Sequence, residues 1–155
     1  MDQKFSEITQ NLEPLLNQLL NMSPVQAGSL PKSMPKRGIY LFSEKGEHLY
    51  VGRSNNIRRR IRLHCRPSAT HLSAAFAFLI TRKDTGKLKP SYKKEGSRKE
   101  LMSNPEFNTA FTTELKRINK MDLRFIEVND PIQQALFEIY VHIALQTPFN
   151  NFDNH

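Results

Sequence analysis

The sequence predicts a small mixed α+β domain with a short antiparallel sheet. Three observations predict it. Two strand-like runs, GIYLF (residues 38–42) and HLYVG (48–52), are joined by a turn around Glu44-Lys45-Gly46. A third run, LRFIEV (123–128), has strand composition, and segments with apolar residues at helical spacing flank all three. At 155 residues and 38% hydrophobic, the chain is long enough for one core and one domain.

Taken in order, residues 5–22 place Phe5, Ile8, Leu12, Leu15, Leu16, Leu19 and Leu20 at helical spacing. This predicts an amphipathic N-terminal helix that Pro14 bends or breaks. SPVQAGSLPKSMPK (23–36) holds three prolines and reads as a linker. Residues 1–36 are therefore helix plus Pro-rich linker, and residues 37–155 the main domain. NIRRRIRLHC (56–65) reads as a helix with Asn55 or Asn56 as N-cap. HLSAAFAFLI (71–80) is apolar, with no type assigned, and residues 84–98 read as an exposed lysine-rich loop. Residues 105–120 look helical. Asp130-Pro131 opens a last helix, with Asp at N-cap and Pro at N1, running to about Gln146 before Pro148.

The turn decides where two tyrosines point. A three-residue loop, Glu44-Lys45-Gly46, with Gly at the left-handed position, puts Ser43 opposite Glu47 and Tyr40 opposite Tyr50. Both phenols then share one face, with Ile39, Leu41, Leu49 and Val51 on the other. A two-residue Lys45-Gly46 turn shifts the register by one and separates the phenols. On the following helix, Ile57, Ile61, His64 and Cys65 cluster on one side, and Arg59, Arg62 and Arg66 point away. Arg60 borders the apolar side, one turn before His64. A guanidinium held there needs an anion, either a carboxylate or a bound phosphate. His64 beside it is a candidate proton handler.

The last helix is apolar nearly all round, which predicts burial. Glu138 sits in its middle with His142 at i+4. A buried carboxylate needs a cation. Arg60 and a hard divalent metal are the candidates, and a purely structural Glu–Arg pair is the bland alternative.

The net charge is +8 and the pI about 9.8, which suits a partner carrying phosphates. Residues 36–66 carry +7 and residues 82–99 carry +6, which leaves the rest of the chain at −5. That concentration fits nucleic acid better than a general solubility device. No run approaches 18 apolar residues, so no membrane span is expected. One cysteine, Cys65, excludes an internal disulfide and a Cys-rich zinc site. The N-terminus lacks the basic start and apolar stretch of a secretory signal. These features point to a cytoplasmic, reducing compartment and leave a leaderless secreted protein open.

Gly38-Ile39-Tyr40, Tyr50-Val51-Gly52, Arg60, His64, Glu138 and Asn150, in this order and spacing, resemble the GIY-YIG nuclease superfamily. The likeness spans roughly residues 37–151 and departs in two places. A long stretch separates Arg60 from Glu138, implying a basic insertion around 82–99, and the N-terminal helix is extra. The resemblance implies a three-stranded antiparallel sheet flanked by helices. It implies divalent-metal-dependent hydrolysis of phosphodiester bonds, in DNA before RNA, with one Mg²⁺ or Mn²⁺ per site. Tyr40 would be the general base, helped by His64. Tyr50 would position water or phosphate, and Arg60 would bind the scissile phosphate. Glu138 would hold the metal, and Asn150 would orient the site. Arg53, Ser54, Asn56, Arg58 and Arg59 are secondary phosphate-contact candidates. Asp153 and His155 lie close to Asn150 in sequence. Two other classes compete. One is a nucleic-acid-binding module that keeps the fold and cleaves nothing. The other is a small basic protein whose loop at 87–99 binds a protein partner. Oligomeric state is open.

Overall fold

A computed structural model describes residues 1–66, 69–70, 74–86 and 98–153. The N-terminal pattern forms two helices, α1 (Gln3–Gln10) and α2 (Leu12–Asn21), broken at Asn11. Pro14 falls in the first turn of α2, where its missing N–H has no intrahelical partner to lose. The linker is tied down by a two-residue strand, β1 (Val25–Gln26). The hairpin strands are β2 (Gly38–Glu44) and β3 (Glu47–Ser54), and the third expected strand is β4 (Asp122–Glu127). The four strands lie in the order β1-β4-β2-β3 with every pairing antiparallel. The fold is thus the expected α+β sheet flanked by helices, extended by one short edge strand.

The expected hairpin register is corrected. The loop has two residues, not three: Lys45 (φ 52°) and Gly46 (φ 80°) are both left-handed, the turn whose twist matches its strands. Glu44 therefore faces Glu47 and Ser43 faces His48. Alone, this would place the tyrosines on opposite faces. A bulge between Phe42 and Ser43 adds Leu49 as an extra residue on β3 and restores the alternation, so Phe42 faces Tyr50 and Tyr40 faces Gly52. The phenols share a face, two positions apart. Leu49 moves to the tyrosine side, packed with Tyr40 and Phe42, while Ile39, Leu41 and Val51 remain on the other.

The tyrosine face is covered by α3 (Ile57–Cys65), α4 (Ala75–Asp84) and α6 (Pro105–Asn119), with α5 (Arg98–Ser103) against α6. Of the unassigned segment at 71–80, residues 75–80 open α4. Its core includes Phe76, Phe78, Phe107 and Phe111, each at most 1% exposed. A fully buried Phe contributes about 1.5–3 kcal/mol. The opposite face is shared by α2, through Leu12, Leu16 and Leu19, and α7 (Pro131–Leu145), through Phe137 and Val141. Two helices share that apolar surface, so α7 buries one stripe. Ile132, Ile139 and Ile143 stay 55%, 42% and 66% exposed, against the expectation of a wholly buried helix. Most of the loop at 84–98 and His155 lie outside the described residues.

Candidate active site

The two motif glycines exist for backbone and ring approach. A Cβ at Gly38 would strike the carbonyl oxygen of Ile126 on β4. A Cβ at Gly52 would strike the ring and hydroxyl of Tyr40, which lies across that position. Glycine on β3 thus lets the Tyr40 phenol lie flat against the neighbouring strand. Tyr40 is 1% exposed, and its Oη lies 3.0 Å from His64 Nε2.

Asn56 caps α3, its Oδ1 accepting from the Arg59 N–H at 3.1 Å. That cap sets the helix phase, with Ile57 and Ile61 in the core, His64 fully buried against the phenols, and Arg60 at the border. Arg60 lies near both phenols, and its guanidinium pulls their pKa values down. Burial is the stronger influence: both phenols sit above their ordinary value, Tyr40 far above it, with the Tyr50 and Glu138 charges adding to the rise at Tyr40. Burial, aided by Arg60, also lowers His64 to about 3, so the imidazole is neutral at ordinary pH. Its Nδ1 has no hydrogen-bond partner among the described residues. Tyr50 stacks on Phe76 at 4.8 Å and 9° and meets the His64 ring edge-on at 5.7 Å.

The cation opposite Glu138 is Arg53, where the sequence pointed to Arg60 or a metal. Arg53 Nε donates to Glu138 Oε2 at 3.1 Å, because Arg53 and Val51 leave β3 on the face that α7 covers. Burial raises the Glu138 carboxyl, and Arg53 partly offsets this. No group of three or more His, Cys, Asp or Glu among the described residues could hold a metal ion. Glu138 Oε1 accepts no hydrogen bond from them. One carboxylate with a free oxygen fits a single hydrated cation and does not fit an all-protein cage. Asn150 clamps the outer edge of β3. Its Nδ2 donates to the Val51 carbonyl at 2.7 Å, and its Oδ1 accepts from the Val51 N–H at 2.9 Å. The buried Thr147 hydroxyl also donates to that Oδ1 at 2.7 Å.

A family model described as the GIY-YIG catalytic domain matches residues 36–150. The chain belongs to the GIY-YIG family. No match is found among curated proteins or among solved structures. Membership supports a nuclease-type function on a nucleic-acid substrate.

Within this GIY-YIG domain, Tyr40, Tyr50, Arg60 and His64 meet at one place, and the Glu138 charge reaches both phenols. Asn150 stands behind β3 and acts on its backbone. Among the secondary candidates, Ser54 Oγ accepts from the Asn56 N–H at 2.9 Å, so both residues shape the turn into α3. Arg58 Nη2 donates to the carbonyls of Pro31 (2.6 Å) and Lys32 (3.0 Å), which ties the linker to α3. Arg59 and Asp153 are exposed. Sequence reasoning did not find Phe76 under Tyr50 or Thr147 behind Asn150. The apolar run at 71–80 held the first signal, without a type to orient it.

Proposed function

We propose that this protein is a divalent-metal-dependent endonuclease that hydrolyses phosphodiester bonds in DNA. One observation carries the reading: a buried phenol bonds a neutral imidazole, with a guanidinium beside it and the charge of a carboxylate that has one oxygen free reaching it. Structural packing alone does not call for that combination. Arg60 binds the scissile phosphate and stabilises the charge gained as water attacks phosphorus. Tyr40 takes the proton of that water, and His64 shares it through the Oη–Nε2 bond. Tyr50 orients the water or a phosphate oxygen, and Asn150 fixes β3 so that Tyr50 and Gly52 hold their places. Glu138 would hold one Mg²⁺ or Mn²⁺, which stabilises the leaving 3′-oxygen when bound. In this reading residues 37–155 form the catalytic unit, with a basic insertion around 82–99, and the protein works in the cytoplasm. No described helix is long and apolar enough to cross a membrane.

The test uses labelled single-stranded, duplex and branched DNA and RNA, with Mg²⁺ or EDTA. Cleavage of DNA that stops in EDTA, and that Glu138→Ala abolishes while affinity persists, supports the proposal. Full activity of Glu138→Ala with Mg²⁺ present refutes the metal assignment. Binding with no cleavage by the parent chain on any substrate makes it a non-cleaving module.

A further inference from the structure

The helix α3 has a second charged face. Arg58, Arg62 and Arg66 recur at i, i+4 and i+8, centred about 180° around the axis from Arg60 and His64. They line two hollows. One, of about 440 Å³, lies between this stripe and Gly28, Cys65 and Asn119. The other, of about 390 Å³, lies on the stripe's flank by Asn56, Arg59 and Leu63. The first hollow has a firm floor. Asn119 Nδ2 donates to the Cys65 carbonyl at 2.6 Å, and the Gly28 N–H donates to the Asn119 carbonyl at 2.8 Å.

None of the three arginines forms an ion pair among the described residues, and Arg62 and Arg66 are exposed. Like charges one turn apart repel, so helix stability gives no reason for the arrangement. A row of anions does. Each guanidinium presents a fork matched to phosphate, and one arises every four residues, about 6 Å apart along the axis. Arg58 is already fixed at one end by the two linker carbonyls.

We propose that this groove binds the sugar-phosphate backbone of the strand that is not cut, so that the substrate is double-stranded where it meets α3. The inference rests on the nuclease reading for the identity of the cut strand. A helix is about 10–12 Å thick, so one phosphate cannot touch both the outer arginines and Arg60. The major groove of a duplex is about 12 Å wide, which sets its two backbones on either side of such a helix. A single strand has no second backbone to offer.

The experiment substitutes Arg62→Gln and Arg66→Gln together in the full chain and keeps Arg58, which holds the linker. Fluorescence anisotropy in EDTA, from 50 to 200 mM salt, measures binding to a labelled duplex and to its single strand. The double variant should lose about 10- to 100-fold in duplex affinity near 0.1 M salt, and its salt slope should fall by about 2. Single-strand affinity should change less than three-fold. In cleavage the loss should fall on KM and spare kcat. Arg62→Lys with Arg66→Lys should recover most of the slope. Unchanged duplex affinity overturns the groove, and an equal loss for both substrates overturns its assignment to the second strand. A parent chain that shows this binding pattern and never cleaves keeps the groove and removes the nuclease reading.

Discussion

The two faces of α3 carry the same side chain in opposite company. Inward, Arg60 lies near the buried Tyr40 phenol, the half-buried Tyr50 phenol and the buried His64 imidazole, and these three rings titrate away from their ordinary values. Outward, Arg58, Arg62 and Arg66 line hollows open to solvent. The difference is one of dielectric. A charge among buried groups acts several-fold more strongly than one in water, and salt screens it less. The inner arginine is suited to stabilise charge that appears during a reaction. The outer ones are suited to affinity. A basic helix therefore does not disclose its function by its charge; what each guanidinium faces does.

The largest expected break is at Tyr40. Tyr40→Phe removes one oxygen and leaves the ring across Gly52 and edge-on to Phe42 at 5.9 Å. The melting temperature should hold within a few degrees, while the single-turnover rate falls by about 10²–10⁴, the usual loss for a general base. Burial keeps the Tyr40 pKa above its ordinary value, so the phenolate is scarce at neutral pH. Its fraction grows about ten-fold per pH unit below that pKa, and the parent rate should climb from pH 6 to 9 accordingly. The variant should lose this climb. A Tyr40→Phe rate within three-fold of the parent would return the residue to packing and erase the contrast between the faces.

Arg60→Ala comes next, with a loss of about 10²–10³ in kcat and a much smaller change in DNA affinity. The outer arginines should give the opposite pattern. Arg60→Lys should recover only part of the loss, because an ammonium cannot span two phenols and a phosphate as a planar fork does. An Arg60→Ala variant with unchanged kcat and weakened binding would place it with the outer arginines.

The inner face was legible in the sequence and its second partners were not. Helical phase alone put Ile57, Ile61 and His64 inward and Arg60 at the border, because a capped helix of fixed pitch leaves little choice. The shared face of the phenols was also legible, but through the wrong turn. Lys45-Gly46 and Glu44-Lys45-Gly46 differ by one residue, and a bulge at Leu49 cancels the difference, which no local pattern announces. Arg53 was read as a phosphate contact. Strand alternation places it on the face opposite the phenols, but only the tertiary placement of α7 there supplies Glu138 as its partner. For the same reason α7 looked wholly buried: composition does not tell how many helices share one sheet face.

A smaller effect concerns acid stability. The unfolded His64 takes up a proton near its ordinary 6.5, and the folded one only near about 3. Between those values the unfolded state binds more protons. The stabilisation is therefore complete above about pH 6.5 and falls as pH drops toward 3, by about 1.4 kcal/mol per unit. His64→Gln cannot titrate, so its urea midpoint should fall less between pH 7.5 and 5 than the parent's. Parallel slopes would mean that other groups govern acid unfolding.

The smallest expected effect sharpens the boundary between the faces. Arg53 and Glu138 pair at 3.1 Å with side chains 47% and 20% exposed, a setting in which an ion pair contributes about 0–1 kcal/mol. Arg53→Gln should therefore leave stability nearly unchanged while freeing the second oxygen of Glu138. If Arg53 competes with a cation for that carboxylate, Mn²⁺ binding followed by electron paramagnetic resonance should tighten by about two- to five-fold, the equivalent of losing a pair of that strength. If Arg53 instead serves the phosphate backbone, Mn²⁺ binding stays as it was and the salt slope for DNA drops by about one. The two results separate a counter-ion resident on Glu138 from one more phosphate contact.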